Sequence, residues 1–253
     1  MEVTQQGGVT IVRIAHGKAN AMDTELCDAV TAAFERLQAE PYAPVVMIGS
    51  GGVFSAGVNL LRIAEGGAAY LAGFLPSLGR MFETVFRHSR PVVAAVNGHA
   101  IAGGCILACA ADRRLMAPGP GRIGITEMLV GVPFPGIALE IMRFASAPQH
   151  FQRLVYGGAT YDAAAAVGLG MVEDVIDADA LLERAIEEAQ TLAAVSPAAF
   201  ELTKRQLRAP VWERVQATRD VDAQVFAVWA GAEAQAAIGR YVERTLKRST
   251  PRA

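Results

Sequence analysis

Two kinds of apolar periodicity divide the chain. Across residues 3–14 two short β-rich runs flank Gln5-Gln6-Gly7-Gly8, the second with Val9, Ile11, Val12 and Ile14, and the pattern predicts an opening hairpin. After the loop His16-Gly17-Lys18-Ala19-Asn20-Ala21-Met22 the spacing becomes helical at Leu26, Val30, Ala33, Phe34 and Leu37, with Asp23 placed to cap the helix and Pro41 and Pro44 beyond its end. Residues 45–48 and 91–96 are apolar throughout, as strands buried on both faces are, and each precedes a glycine-bearing turn and a helical segment. Strand alternating with helix predicts an α/β layer architecture. Residues 61–90 are a helical excursion interrupted by Gly66-Gly67, Gly73 and Pro76, suited to a lid or pocket wall. From Tyr161 the chain turns Ala-rich, with helices predicted over 181–194, 197–208 and about 217–247. Without repeats or linkers, the organisation expected is a core domain over 1–195 and a C-terminal helical region over 196–253.

The 253 residues are 52 % hydrophobic and 19 % charged, a folded composition able to bury a large core. Lys and Arg total 23 against 25 Asp and Glu, and no basic run tracks phosphates, so nucleic acid is not an expected partner. Cys27, Cys105 and Cys109 make neither a CxxC pair nor an even framework, which argues for a reducing compartment and against structural zinc. The start, Met1 to Gln6, lacks the basic and apolar regions of a signal peptide, so a cytoplasmic location is expected. Residues 91–111 carry no Asp, Glu, Lys or Arg, but Pro91, Asn97, Gly98, His99, Gly103 and Gly104 make them a buried strand and helix rather than a membrane span.

Several motifs carry little chemistry. Gly119-Pro120-Gly121-Arg122-Ile123-Gly124 matches G-x-G-x-x-G in letters but lacks the surrounding βαβ unit, so a glycine-rich turn suffices. The histidines His16, His88, His99 and His150 show no metal-ligand spacing and are expected at the surface or satisfied in the core. No G-x-S-x-G elbow occurs. Two turns are more purposeful: Phe54-Ser55-Ala56-Gly57-Val58-Asn59-Leu60, and Asn97 to Cys105 with Gly103-Gly104. Small residues there let a ligand approach backbone N–H groups, the second set at a helix N-terminus, and two such donors make an oxyanion hole.

With Lys18-Ala19-Asn20-Ala21-Met22, these segments resemble, in order and spacing, three motifs of the crotonase, or enoyl-CoA hydratase/isomerase, superfamily: N-A-L/M, F-x-A-G-x-D-L and V-N-G-x-A-x-G-G-G-x-E-L. The resemblance runs from Val9 to about Arg244. It implies a ββα superhelix, an α/β fold whose C-terminal helical region makes homotrimers or hexamers of paired trimers. It also implies that the amides of Ala56 and Gly103 hold the carbonyl of an acyl-CoA thioester. Coenzyme A would then be part of the substrate, with no separate cofactor and no metal. Residues implied around that substrate are Lys18, Ala19, Ala21, Ala56, Asn59, Leu60, Gly103, Gly104 and Phe134. Tyr241 and Arg244, in a segment resembling the family's terminal A-F-x-x-K/R, would meet the adenine and 3′-phosphate, sometimes across a subunit boundary.

Departures from the family pattern bear on the reaction. Hydratases of the family use two glutamates; here the first position is Ile106, while the second is retained as Glu127 in Gly124-Ile125-Thr126-Glu127. Hydration divides water activation and α-protonation between two carboxylates, whereas moving a double bond from C3 to C2 needs one base to take a proton at C2 and return it at C4. A desolvated Glu127 suits that work. The closest motif match is therefore to Δ3,Δ2-enoyl-CoA isomerases, the alternatives being a hydratase or other crotonase-type reaction and a non-catalytic acyl-CoA-binding homologue. Asn59 stands where the family has Asp, keeping a hydrogen-bonding side chain without the charge.

Overall fold

A computed structural model describes residues 1–245. The hairpin forms from β1 (Glu2–Gln6) and β2 (Val9–Ile14), and Asp23 accepts a hydrogen bond from Leu26 N to cap α1 (Thr24–Ala39). Three successive stretches then run through two strands before entering helical structure. They are β3 (Val45–Gly49) and β4 (Val53–Ser55) before α2 (Leu60–Arg87), β5 (Val92–Val96) and β6 (His99–Ile101) before α3 (Gly103–Cys109), and β7 (Arg113–Met116) and β8 (Ile123–Gly124) before a short 3-10 turn (Glu127–Val130) and α4 (Gly136–Ala145).

The first strands of these units stack as parallel neighbours in a six-stranded sheet, β1-β2-β3-β5-β7-β9, closed by β9 (Asp174–Val175). The second strands stack in parallel as a smaller sheet, β4-β6-β8. This is a ββα superhelix, one rung per unit. Alternate residues of the large sheet serve two cores. Val46, Ile48, Val93, Ala95 and Leu115 pack under α7 (Leu181–Ala193), while Val45, Met47, Val92, Ala94 and Met116 join the main core with α1, α2 and α3. Burial on both faces explains the uninterrupted apolar runs.

The G-x-G-x-x-G letters are a corner of this superhelix. Gly121 lies between β7 and β8, where a Cβ would come within 3.0 Å of the Gly98 backbone, and Ile123-Gly124 continue as a strand instead of opening a helix. Among the expected breaks in 61–90, only the glycine pair interrupts the helix: Gly67 is non-helical (φ 53°), whereas α2 continues through Gly73 and Pro76. Its buried face, including Leu71, Phe74, Leu78, Met81 and Phe82, outweighs a helical proline's penalty of about 3 kcal/mol.

Beyond α5 (Phe151–Gly157) and α6 (Ala163–Gly168), the helical divisions differ from expectation. Helix α8 (Pro197–Ala217) runs past Arg208 and through Pro210, because Val211 and Val215 continue its buried face. The expected last helix divides at Gly231 into α9 (Arg219–Ala230) and α10 (Ala232–Thr245); residues 246–247 of that expectation lie outside the described residues. Val225, Trp229, Ala234, Ile238 and Val242 from this region are part of the main core. No helix among the described residues is long and apolar enough to cross a membrane.

Candidate active site

The three strands of the small sheet run in parallel, so their C-terminal ends emerge side by side. Ala56 directly follows β4, Ala102-Gly103 follow β6, and Glu127 comes three residues after β8. Parallel strands thus gather three segments far apart in sequence at one edge, where ligands of α/β folds bind. The Ala102 amide donates to Gly124 O at 2.8 Å, fixing the start of α3 against the strand that leads to Glu127.

Ala102 has φ 51° and ψ −121°, an unfavourable conformation for a side chain with a Cβ, and it turns the chain sharply into α3. Gly103 is the first helical residue, so its N–H has no acceptor in the preceding turn. Gly104 is required by close approach, since a Cβ there would lie 2.3 Å from Ser55 O. The Ala56 amide donates to Ala19 O at 3.0 Å, which brings the His16–Met22 loop onto the turn after β4 and corrects the expectation for Ala56, whose N–H is taken within the chain.

Glu127 is buried, with 8 % of its surface exposed, and its Oε2 has no hydrogen-bond partner among the described residues. Burial raises its pKa to about 7, against smaller opposing contributions from the Glu127 and Thr126 backbone. Its charge acts on Cys105 of α3, next to the buried Ile106. A carboxylate half protonated near neutrality, beside an apolar helix, can both accept and return a proton.

The remaining expected residues are distributed around this edge. Lys18 is exposed, while Ala19 and Ala21 are half-buried in the loop beside Ala56. Asn59 caps α2, its Oδ1 accepting from Arg62 N at 3.2 Å, and Leu60 begins that helix. Phe134 is buried in the main core. Tyr241 and Arg244 lie on α10, with the Arg244 guanidinium 5.8 Å from the Tyr241 ring centre. Helix α10 packs on α2 and on the 3-10 turn of its own chain.

Two functional candidates were missing from the sequence-derived set: Asn20 and Ser55, both buried, whose hydrogen bonds join the loop to β4. Asn20 is the asparagine of the N-A-L/M resemblance and Ser55 the variable position of the next motif, so the signal lay in the motifs, without a partner to say what either side chain does. The histidine expectation is corrected at His88, which is buried edge-on to Phe34 and whose Nε2 has no hydrogen-bond partner among the described residues. Burial pushes its pKa down to about 3, helped by the Lys204 and Arg90 charges, so it stays neutral.

A fold of stacked ββα units with backbone amides and a buried carboxylate at one strand edge defines a crotonase-type architecture. Residues 4–248 match the family model for enoyl-CoA hydratase/isomerase, and the chain belongs to that family. It is 25 % identical over 241 residues to human "Enoyl-CoA delta isomerase 1, mitochondrial", covering 94 % of this chain and 80 % of that protein. Against a "Putative enoyl-CoA hydratase" of Thermus thermophilus it is 32 % identical over 214 residues, covering 83 % and 84 %. The solved structure of human mitochondrial delta3-delta2-enoyl-CoA isomerase superposes with a TM-score of 0.92 over 98 % of both chains at 23 % identity, a likeness of fold.

Proposed function

We propose that the protein is an acyl-CoA isomerase that moves a 3-enoyl-CoA double bond to the 2-position. The Gly103 amide, at the start of α3, would donate to the thioester oxygen and, with a second N–H from the turn after β4 other than that of Ala56, stabilise the negative charge that develops there. Glu127 would remove a proton from C2, giving a dienolate, and return it at C4, leaving the 2-enoyl thioester and the base as they began. The observation that carries this reading is a buried Glu127 with a pKa near 7 and a free Oε2, while the other family carboxylate position is Ile106. Lys18, Ala19, Ala21, Asn59, Leu60, Gly104 and Phe134 would surround the ester, with Tyr241 and Arg244 at the nucleotide end. Homotrimers or hexamers are part of the proposal, as the family resemblance implies.

The test is incubation of the purified protein with a trans-3-enoyl-CoA and, separately, a trans-2-enoyl-CoA in heavy water, following bond position, hydration and deuterium uptake. Formation of 2-enoyl-CoA with no 3-hydroxyacyl-CoA supports the isomerase. Hydration would favour the second reading, to which the Thermus relative's name points, and would require another acid–base group. Tight ester binding with neither reaction nor exchange would indicate a binding protein.

A further inference from the structure

Of the four amides from Ala56 to Asn59, in the turn after β4, three are taken within the chain. Ala56 N donates to Ala19 O at 3.0 Å, Gly57 N to Ser55 Oγ at 3.2 Å and Asn59 N to Met22 O at 2.8 Å. Val58 N–H alone has no acceptor among the described residues. Met22 is the cause. Its own N–H donates to Gly57 O at 2.8 Å while its carbonyl takes Asn59 N, a one-residue parallel bridge that grips both neighbours of Val58. In such a bridge the residue opposite turns its N–H away, so the Val58 amide is left free on the far side of the turn.

The Met22 side chain reaches the other donor. It is fully buried, and its Sδ lies 2.9 Å from the place a Cβ on Gly103 would take, nearer than Val58 Cγ1 and Phe82 Cζ, both at 3.7 Å. The Cα–Cβ direction of a helical residue tilts toward the helix N-terminus, the end from which the first N–H groups project, so these atoms border the Gly103 donor. One residue thus serves both sides of the site: its backbone fixes the turn that carries the Val58 amide, and its thioether braces the first residue of α3. We infer that Met22 is a positioning residue that sets the separation of the Val58 and Gly103 amides so that one thioester oxygen accepts from both; this rests on the oxyanion role proposed above. An unbranched, adaptable side chain suits the narrow gap beside a glycine. Truncation would spare the bridge, which is made by backbone, and withdraw the brace, leaving a void into which α3 can settle.

The test compares Met22→Ala with wild type using a bound conjugated 2,4-dienoyl-CoA, whose absorption moves to longer wavelength when its carbonyl is polarised. The expected result is a clear shift in wild type that falls by about half or more in the variant once the ester is saturating, with kcat for 3-enoyl-CoA down about tenfold or more and KM changed less. A side chain that merely filled the core would lower the melting temperature and leave the shift of the folded protein intact. The full wild-type shift retained in folded Met22→Ala overturns the inference and leaves the oxyanion role standing. No shift in wild type, whether or not the ester binds, removes the oxyanion role and this inference with it. If Met22→Ala does not fold, Met22→Val, a smaller truncation that also empties the place of Sδ, decides by the same measurement: a reduced shift supports the inference and a full one overturns it.

Discussion

Asp112 and Lys204, 92 residues apart in the chain, meet at 2.6 Å between Oδ2 and Nζ. The other carboxylate oxygen takes Arg208 Nη2 at 2.8 Å, and Oδ2 also accepts from Val92 N, so one carboxylate joins α8 to the first residue of β5. Both cations are buried, and Lys204 donates further to Arg90 O. Burial lowers the Lys204 pKa to about 8, against the pull of Asp112 in the other direction. Asp112→Asn would strand two buried positive charges; the expected loss is about 3–5 kcal/mol of stability in urea or thermal unfolding. A loss below about 1 kcal/mol would show that the three groups are not a stabilising unit.

Glu127 links activity to stability in opposite senses. Its folded-state pKa of about 7 lies above the ordinary 4.5, so between those values the folded chain keeps a proton the unfolded chain has released. Its contribution to stability is therefore full below about pH 4.5 and declines as pH rises to about 7. Glu127→Gln escapes that decline and is expected to be more stable than wild type above pH 7, by roughly 3 kcal/mol at most, while turnover is abolished. Wild-type kcat/KM should rise with pH through an apparent pKa of about 7 in the free enzyme. Melting curves and rates across pH 4 to 9 check both; a Gln variant with full activity would remove Glu127 from the base role.

Arg244 is exposed on α10 beside Tyr241. If it meets a phosphate of the nucleotide, Arg244→Ala should raise KM for CoA esters about tenfold and leave kcat nearly unchanged. The difference between variant and wild type should shrink as salt is added. An unchanged KM at low ionic strength would place the nucleotide elsewhere.

What the sequence revealed tracks how local each interaction is. The β1–β2 hairpin and α1 with its Asp23 cap depend on neighbours within a few residues, and both were legible. The glycine turns at Ala56 and Gly103 stood out because backbone approach demands small residues. The second strands did not, since β4 and β6 have three residues and β8 two, too short for periodicity to register. Helix α8 was cut short because its buried face alternates ions with aliphatics: Lys204 and Arg208 one turn apart, then Val211 and Val215, a stripe that an apolar count does not detect. The hydrogen bonds of Asn20 reach β4 across more than thirty residues, and only the folded chain brings their ends together.

Helix α10 packs on the 3-10 turn of its own chain, and if its Arg244 serves the site beside that turn, the groups proposed for proton transfer and for nucleotide recognition come from one polypeptide. Each copy would then work autonomously whatever assembly it enters. In mixtures of wild-type and Glu127→Gln chains, reassembled together, the rate should follow the wild-type fraction along a straight line. Neither rescue nor poisoning by neighbours is expected, and gene duplication could diversify one subunit of such an assembly without silencing the rest.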